Sequence, residues 1–400
     1  MCFLLKKMQC FFLFYRKYKA LLTNKKIVLS DFFRKRYRKR LQFSQTFAKI
    51  NKLNIIFAFE KIDDTIMKHV TITRIAEELN ISVSSVSRAL RGDDYNVNKE
   101  TKQRILETAE RMGYRRSKIA MNLRENRTRT IGIVIPELVT TFYVDFITKV
   151  QSMLYEKGFQ TSLAICNENP DIERNNLQMM LDNQVEGILI SACHNQKNID
   201  VYKDFMSKEI PMVFFDRTID NLSVPKVKID DYIKSFFMVE FLIRSGRRQI
   251  IHLAGPSFIQ NTHERIRAYK DAMEKFNLPV YPEYIINSGV NFEDGEKSME
   301  EFMKKQVPFD AIFCFTEMSA LGAKSFLQKL NYSIPKDVSI CTVSGTSLST
   351  MVYPRLTVVE QPVKLMAEKS VELIMEKLDN PKALDKEIIL EAKMIIREST

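Results

Sequence analysis

The sequence predicts a multi-domain protein in which a small all-α helix-turn-helix unit precedes a larger α/β core built from parallel sheets. Residues 67–129 carry apolar side chains at helical spacing, whereas residues 130–400 alternate short apolar runs with amphipathic helical patterns. A chain of 400 residues is also longer than a single hydrophobic core usually supports. We therefore expect at least two domains.

The positive charge of the chain is concentrated near its N-terminus. The net charge is +12 overall; residues 1–66 contribute +12, residues 67–129 contribute +6 and residues 130–400 contribute −6. The run "RKRYRKR" (34–40) could bind nucleic acid or an anionic membrane surface. Basic residues interrupt the apolar runs, and no membrane span or signal peptide is predicted. Because a well-formed domain would start at Met67, we expect residues 1–66 to be a mis-assigned start or a disordered tail.

The helix-turn-helix prediction rests on two apolar runs separated by the short segment "LNIS". Ile72, Ile75, Ala76 and Leu79 recur at helical spacing in the first helix, and Val83, Val86 and Leu90 form the second apolar run, in which Val86 and Leu90 are expected to face the core. Asn80 tolerates the left-handed turn and Ser82 can cap the second helix. A third helix should start at Asn98 and end before Gly113, with Ile105, Ala109 and Met112 inward.

The outer face of the second helix has an unusual composition. Ser84, Ser85, Ser87 and Arg88 project outward when Val86 and Leu90 face the core. Short hydroxyls let a helix enter the major groove deeply, and an arginine can pair with guanine in a bidentate manner. The pattern therefore favours DNA contact; the alternative is a solvated helix that happens to be rich in serine.

The basic segment 117–129 follows the third helix. Ser117 could cap a short helix that carries Ala120 and Leu123. A segment this short should be only marginally helical alone, but it could fold on DNA and insert Leu123 into the minor groove. The alternative is a flexible charged linker.

The remaining residues repeat a strand–helix rhythm. The predicted strands are "TIGIVI" (130–135), "TSLAI" (161–165), "GILIS" (187–191), "MVFFD" (212–216), "QIIHLAG" (249–255), "AIFCF" (311–315) and "VSICTV" (338–343). Helices are predicted near 142–157, 172–183, 262–276 and 317–330. Two such series indicate two lobes with parallel sheets, and ligands bind where the carboxyl ends of such strands meet.

Catalytic, metal and cofactor sites are not predicted. The six cysteines form no CxxC pair, which is typical of reduced thiols in a cytoplasmic protein. Only four histidines are present, and no nucleophile elbow, P-loop or dinucleotide fingerprint occurs in context. His252 lies in a strand pattern and is expected to be a core residue. The sequence predicts a protein that is not an enzyme.

Residues 67–400 resemble the LacI/GalR family of transcriptional regulators. The similarity includes "VTITRIAEELNISVSSVSRALRG" and, in the family's order, "IGIVIP", "VEGILIS", "FFDR", "GRRQIIHLAGP", "ALGAKSFLQKLNYSIPKDVSI" and "PRLTVVEQP". The resemblance implies a periplasmic-binding-protein-like core with three crossovers between lobes. The implied domains are 67–116 (DNA binding), 117–129 (hinge), 130–229 with 359–390 (first lobe) and 230–358 with 391–400 (second lobe).

The resemblance also implies the function and the DNA-contacting residues. The resemblance implies a repressor that binds pseudo-palindromic operators as a homodimer or tetramer and is controlled by a small effector such as a sugar or sugar derivative. By position, Val83, Ser84 and Arg88 would read bases. Thr71, Ser82, Ser85, Asn98 and Thr101 would contact phosphates, while Ser117, Ala120 and Leu123 would form the minor-groove hinge.

For the effector cleft, the matched positions are Phe142, Tyr143, Asp216, Arg265, Thr316 and Ser344. Arg265 would suit a carboxylate, phosphate or sugar hydroxyl, and Phe142 could stack on a ring. The family's usual Asn-Asp is Thr316-Glu317 here and its usual acid is Ser344, which argues against a standard free sugar. The alternatives are a cleft that has lost tight ligand binding, Arg265 as an inter-lobe salt-bridge partner, or a solute-binding protein.

Overall fold

The computed structural model describes residues 70–91, 97–114 and 127–400. The chain divides into two compact units, with the boundary between Arg116 and Ser117. The predicted N-terminal extension 1–66 and the predicted hinge residues Ser117, Ala120 and Leu123 lie outside the described residues.

The first unit contains three helices: α1 (Ile72–Leu79), α2 (Val83–Ala89) and α3 (Lys99–Arg111). Asn80 ends α1 in the left-handed conformation (φ 53°), and its neighbour Ile81 donates its backbone N–H to Ala76 O at 3.0 Å. This tight turn separates α1 from α2, and the small Ala76 side chain is buried in the core that the helices share. The helix-turn-helix prediction is confirmed.

A small apolar core holds the three helices together. Ile75, Val86 and Ile105, one from each helix, are completely buried. Val83, which belongs to the second apolar run, is 40% exposed and does not enter this core. Val83 is the first residue of α2 and lies one turn before Ser87, on a side of the helix that does not include the buried Ala89.

The second unit contains two six-stranded sheets. The strands are β1 (Thr130–Ile135), β2 (Gln160–Ile165), β3 (Gly187–Ile190), β4 (Met212–Phe215), β5 (Lys226–Ile229), β6 (Ile250–Leu253), β7 (Ile285–Ile286), β8 (Ala311–Cys314), β9 (Ser339–Gly345), β10 (Thr357–Glu360), β11 (Glu387–Leu390) and β12 (Lys393–Ile395). The helices are α4 (Thr141–Glu156), α5 (Pro170–Asp182), α6 (Ile199–Ser207), α7 (Asp231–Arg244), α8 (Gln260–Lys275), α9 (Phe292–Met303), α10 (Glu317–Lys329) and α11 (Val363–Asp379).

Each sheet defines one lobe. The first lobe has the strand order β11-β5-β4-β3-β1-β2 and carries α4, α5, α6 and α11; the second lobe has the order β12-β10-β9-β8-β6-β7 and carries α7 to α10. All pairs are parallel except β10 with β12. The central strands are buried along their whole length because helices cover both faces.

The chain passes between the lobes three times. The passages follow β5 at Ile229, follow β10 at Glu360 and join β11 to β12 between Leu390 and Lys393. The second passage comes after the predicted boundary at residue 359, because β10 stays paired with β9 through Glu360. The first lobe is therefore completed by α11 and β11, which come late in the sequence.

Candidate functional site

The exposed face of α2 is the first candidate site. Val83, Ser84 and Arg88 are all exposed, whereas Val86 and Ala89 on the opposite side are buried in the core. Ser82 caps the helix by accepting the Ser85 N–H at 3.1 Å. The Ser82 hydroxyl also lies 2.8 Å from the hydroxyls of both Ser84 and Ser85. The three residues predicted to read bases thus share one solvent-facing surface.

The residues predicted to contact phosphates lie mainly at helix N-termini. Thr71, Ser82 and Asn98 are the N-caps of α1, α2 and α3, and each side chain accepts a backbone N–H of its own helix. Ser85 and Thr101 are half-buried in the first turns of α2 and α3. The partial positive charge of a helix N-terminus favours an anionic partner at these positions.

The second candidate site is a cavity of about 40 Å³ between the two lobes. All six residues predicted for the effector cleft line it: Phe142, Tyr143, Asp216, Arg265, Thr316 and Ser344. Six further residues line the cavity and were not predicted from the sequence: Glu137, Thr140, Arg217, Asn261, Phe315 and Gln361. Several of these adjoin predicted positions, as Arg217 follows Asp216 and Phe315 precedes Thr316, so the adjacency itself was an available signal.

Arg265 is held by an ion pair within the second lobe. Its Nε and Nη2 lie 2.8 and 2.6 Å from Asp231 Oδ1, and its Nη1 donates to Phe315 O at 2.5 Å. The guanidinium also covers the Phe315 ring, with 4.3 Å from Cζ to the ring centroid. Asp231 begins α7, so the alternative of an inter-lobe salt bridge is wrong for this contact, because both partners belong to the same lobe.

Arg217 has an equivalent arrangement in the first lobe. It makes a bidentate contact with Glu168, with distances of 2.8 and 2.9 Å. Both residues are largely withdrawn from solvent, at 7% and 20% side-chain exposure. The two guanidinium groups at the cavity are therefore each paired with a carboxylate of their own lobe.

Asp216 occupies a different environment. Its residue adopts positive φ (57°) just after β4, and its Oδ2 accepts the Tyr143 hydroxyl at 2.9 Å. Burial, partly offset by Arg217, raises the pKa of Asp216 to about 6. Burial and the neighbouring Asp216 carboxylate raise the pKa of Tyr143, so its hydroxyl remains a hydrogen-bond donor.

The polar residues on the second-lobe side of the cavity differ in how far their hydrogen-bonding atoms already have partners in the protein. The Thr316 hydroxyl donates to Val290 O at 2.7 Å and accepts the Ser319 N–H at 3.0 Å, so it mainly caps α10. Gln361 donates its Nε2 to Val343 O at 3.1 Å, but its buried Oε1 has no hydrogen-bond donor among the described residues. Ser344 is half-buried at the cavity wall.

Contacts between the lobes keep this cavity small. At one edge, Thr141 of the first lobe donates its hydroxyl to Thr346 Oγ1 at 2.6 Å, and Thr346 in turn donates to the buried Glu317 at 2.6 Å. At another edge, the Asn195 N–H donates to Phe258 O at 3.0 Å and the His194 ring stacks on Phe258 with centroids 5.4 Å apart. These contacts define a closed cleft.

His252 lies outside the cleft, in β6. His252 is fully buried, its Nδ1 lies 3.0 Å from Phe313 O, and burial lowers its pKa to about 3. This confirms it as a core residue. In the described ranges no group of three or more His, Cys, Asp and Glu side chains could hold a metal ion. Within those same ranges, no helix has the length and hydropathy needed to cross a bilayer.

Comparison with known proteins gives two family matches. The model "Bacterial regulatory proteins, lacI family" matches residues 71–117, and "Periplasmic binding proteins and sugar binding domain of LacI family" matches residues 128–398. Catabolite control protein A of Priestia megaterium is 30% identical over 335 residues, 83% of this chain and 99% of that protein. The HTH-type transcriptional repressor CytR of Escherichia coli (strain K12) is 26% identical over 330 residues, 82% of this chain and 96% of that protein.

Among solved structures, the lac repressor dimer bound to operator and the anti-inducer ONPF has a TM-score of 0.71. It is 18% identical to this chain and covers 83% of it and 99% of the repressor chain, so this likeness concerns the fold alone. Both family matches agree with the observed helix-turn-helix unit and with the two-lobed core of parallel sheets. The chain belongs to the LacI family of bacterial transcriptional regulators.

Proposed function

We propose that this regulator is a cytoplasmic repressor that binds a pseudo-palindromic operator as a homodimer, and that a small molecule in the cleft controls its affinity. The observation that carries the DNA-binding proposal is the exposed face of α2. Val83, Ser84 and Arg88 project from a helix whose opposite side, through Val86 and Ala89, anchors it to the core. Such a helix can enter the major groove without unfolding its own domain.

The residue roles follow from this placement. Arg88 would pair with guanine, Ser84 would donate to a base, and Val83 would contact a thymine methyl. The capped N-termini at Thr71, Ser82 and Asn98 would face phosphates, with Ser85 and Thr101 beside them. Ser117, Ala120 and Leu123 remain the predicted hinge, which would bind the minor groove.

Exposed apolar side chains on the first lobe support the homodimer. Leu138, Val139, Val144, Tyr155 and Leu163 are exposed, between 39% and 81%, on or next to α4 and the edge strand β2. A second copy covering this surface would remove apolar area from water. It would also present two α2 helices to successive half-sites.

The cleft is suited to effector control because both lobes contribute to its walls. Phe142, Tyr143 and Asp216 come from the first lobe, whereas Arg265 and Thr316 come from the second. A ligand larger than the present 40 Å³ cavity must separate the lobes. Its differential affinity for open and closed forms would then shift the equilibrium between them.

A second candidate, a regulator that has lost tight effector binding, is favoured by the small cavity and the internally paired arginines. Titration of the purified protein on its operator, with and without candidate ligands, distinguishes the two. Ligand-dependent release or tightening of the operator supports effector control, whereas an affinity that no cleft-binding ligand alters supports the second candidate.

Genome-wide mapping of bound sites tests the main proposal. The wild-type protein should yield a pseudo-palindromic consensus, while Arg88→Ala should lose the preference at the guanine position. An exposed arginine on another helix, Arg104→Ala on α3, serves as a control for charge alone. Binding without any sequence preference would contradict the proposal.

A further inference from the structure

We propose that the effector of this cleft carries a protonated primary amine, and that this amine binds against Asp216 and Gln361. The inference rests on the proposed effector role of the cleft and goes beyond it by giving the ligand a charge. Some polar groups of the cavity already have hydrogen-bond or ion-pair partners in the protein, whereas Asp216 and Gln361 have unfilled acceptor positions.

The positive groups of the cavity are already neutralised. Arg265 is paired with Asp231 and Arg217 is paired with Glu168, and each pair lies within one lobe. Neither pairing depends on the cleft being filled, so neither guanidinium offers a free positive charge to an anion. The sequence-based idea that Arg265 would attract a carboxylate or phosphate did not include Asp231, which lies 34 residues away.

The carboxylates outnumber the guanidiniums. Glu137, Glu168, Asp216 and Asp231 give four negative charges at the cavity and its immediate partners, against the two positive charges of Arg217 and Arg265. When all six groups are ionised the balance is therefore −2. An anionic ligand would add to this excess in a poorly hydrated space, whereas a cation would reduce it.

Asp216 is the least satisfied of these carboxylates. Glu137 accepts hydrogen bonds from the N–H groups of Val139 and Thr140 and from the Thr140 hydroxyl. Asp216 accepts only the Tyr143 hydroxyl and has no basic side chain within 4.0 Å in the described part of the chain. Asp216 is half-buried, and a carboxylate in such a position normally has a cation or several donors, so its remaining donors come from a ligand or from water.

Gln361 supplies the second, independent observation. It is 7% exposed, it lines the same cavity, and its Oε1 has no donor among the described residues. An ammonium group has three donors and no acceptor, so it can serve the Asp216 carboxylate and the Gln361 carbonyl together. A cavity volume of about 40 Å³ exceeds the roughly 10–15 Å³ that a single water needs, so the cavity has room for a small polar group such as an ammonium.

Matched sugar pairs test the charge of the ligand. Calorimetry on the full chain at about pH 7 compares glucosamine with glucose and galactosamine with galactose, and glucose 6-phosphate serves as the anion. Each pair differs only in an amine or a hydroxyl at one carbon. We expect at least one amino sugar to bind about tenfold more tightly than its hydroxyl counterpart, because hydrogen bonds between charged groups are about twice as strong as neutral ones. Putrescine identifies a simple amine as an alternative source of the same chemistry.

Variants identify the contact. Asp216→Asn keeps an acceptor for Tyr143 but removes the charge, so the preference for the amine should disappear. Gln361→Leu should weaken amine binding several-fold, while Ser347→Ala, an exposed residue outside the cavity, should bind like wild type. In the wild type, affinity for the amine should fall between about pH 7 and pH 5, and Asp216→Asn should flatten this profile. Tyr143, Arg217, Asp231 and Arg265 face Asp216 and are unchanged in that variant.

The outcomes separate this inference from the proposed function. Equal or tighter binding of the neutral sugars or of the phosphate, or failure of every amine to bind, overturns the amine inference. If such a neutral or phosphorylated ligand changes operator affinity, effector control by the cleft still stands. If an amine binds through Asp216 but operator affinity does not respond, the amine inference stands and effector control fails.

Discussion

Asp216→Asn should stabilise the ligand-free protein at pH 8 and give no advantage near pH 4. The substitution keeps the shape of the side chain and an acceptor for the Tyr143 hydroxyl, which now lies 2.9 Å from Oδ2. It removes a carboxylate whose pKa is raised by burial to about 6, from an ordinary value of 3.8. The effect therefore isolates the cost of one ionised group at the cleft.

The magnitude follows from proton linkage. Because the pKa is higher in the folded protein than in the unfolded chain, the folded protein binds the proton more tightly. The protonated form thus stabilises the fold fully below about pH 4, and this contribution is lost as pH rises through about 6. A pKa difference of about 2, at about 1.4 kcal/mol for each unit, gives at most about 3 kcal/mol above pH 7. For a core of this size we expect a rise in Tm of about 6 °C.

Thermal unfolding of both proteins at several pH values between 8 and 4.5 measures the difference. Ser347→Ala is the matched control, because it changes one exposed hydroxyl outside the cavity. The two proteins differ at no other acidic residue, so the difference between them reports Asp216 together with its electrostatic coupling to Asp231 and Tyr143. A variant that is less stable than wild type at pH 8, or a difference that does not vary with pH, would refute the reasoning.

Three further predictions concern DNA reading and cleft closure. Arg88→Ala should reduce the discrimination between operator and mixed DNA by about 1–3 kcal/mol in competition binding, while the Tm of the core stays unchanged. Unchanged discrimination would exclude α2 as the helix that reads the bases. Thr346→Val leaves the buried Glu317 without its hydroxyl donor and should lower the free energy of unfolding in urea by about 1–3 kcal/mol. Thr141→Val leaves that donor in place and should lower it less. The reverse order would contradict the importance of the hydrogen bond from Thr346 to Glu317. Gly255 has a φ of +79°, and a Cβ added there would lie 2.6 Å from the Phe315 ring. Gly255→Ala should therefore displace that ring and lower the free energy of unfolding in the same urea assay. A stability equal to that of wild type would show that the ring moves freely.

Much of the fold could be predicted from the sequence because its signals are local. The first strand has the predicted bounds, 130–135. Its run "TIGIVI" is almost entirely apolar, as expected for a strand of a parallel sheet with both faces covered. The sequence did not predict the strands β5, β7, β10, β11 and β12. Of these, β5 ("KVKI") and β11 ("EIIL") are four residues long and include charged side chains, and Lys228 of β5 pairs with Glu387 of β11.

The positions of the cleft residues could be predicted from the sequence, but their ion pairing could not. Phe142, Asp216 and Arg265 were assigned to it by position, and the structure brings them to one cavity. Their state was not predictable, because it depends on partners distant in sequence. Arg265 is neutralised by Asp231, and Glu168 neutralises Arg217 across 49 residues. Side-chain chemistry at a matched position thus indicates where a ligand could bind, but the pairing in three dimensions determines which charge it would meet.

The interleaving of the two lobes has a consequence for biosynthesis. The first lobe begins with β1 but needs α11, which packs on α4, and β11, which pairs with β5. Residues 363–390 are translated after nearly all of the second lobe. A ribosome-bound nascent chain that ends at residue 360 therefore holds an uncovered helix face and an unpaired strand edge. Such a chain is exposed to aggregation until residues 363–390 emerge and complete the first lobe.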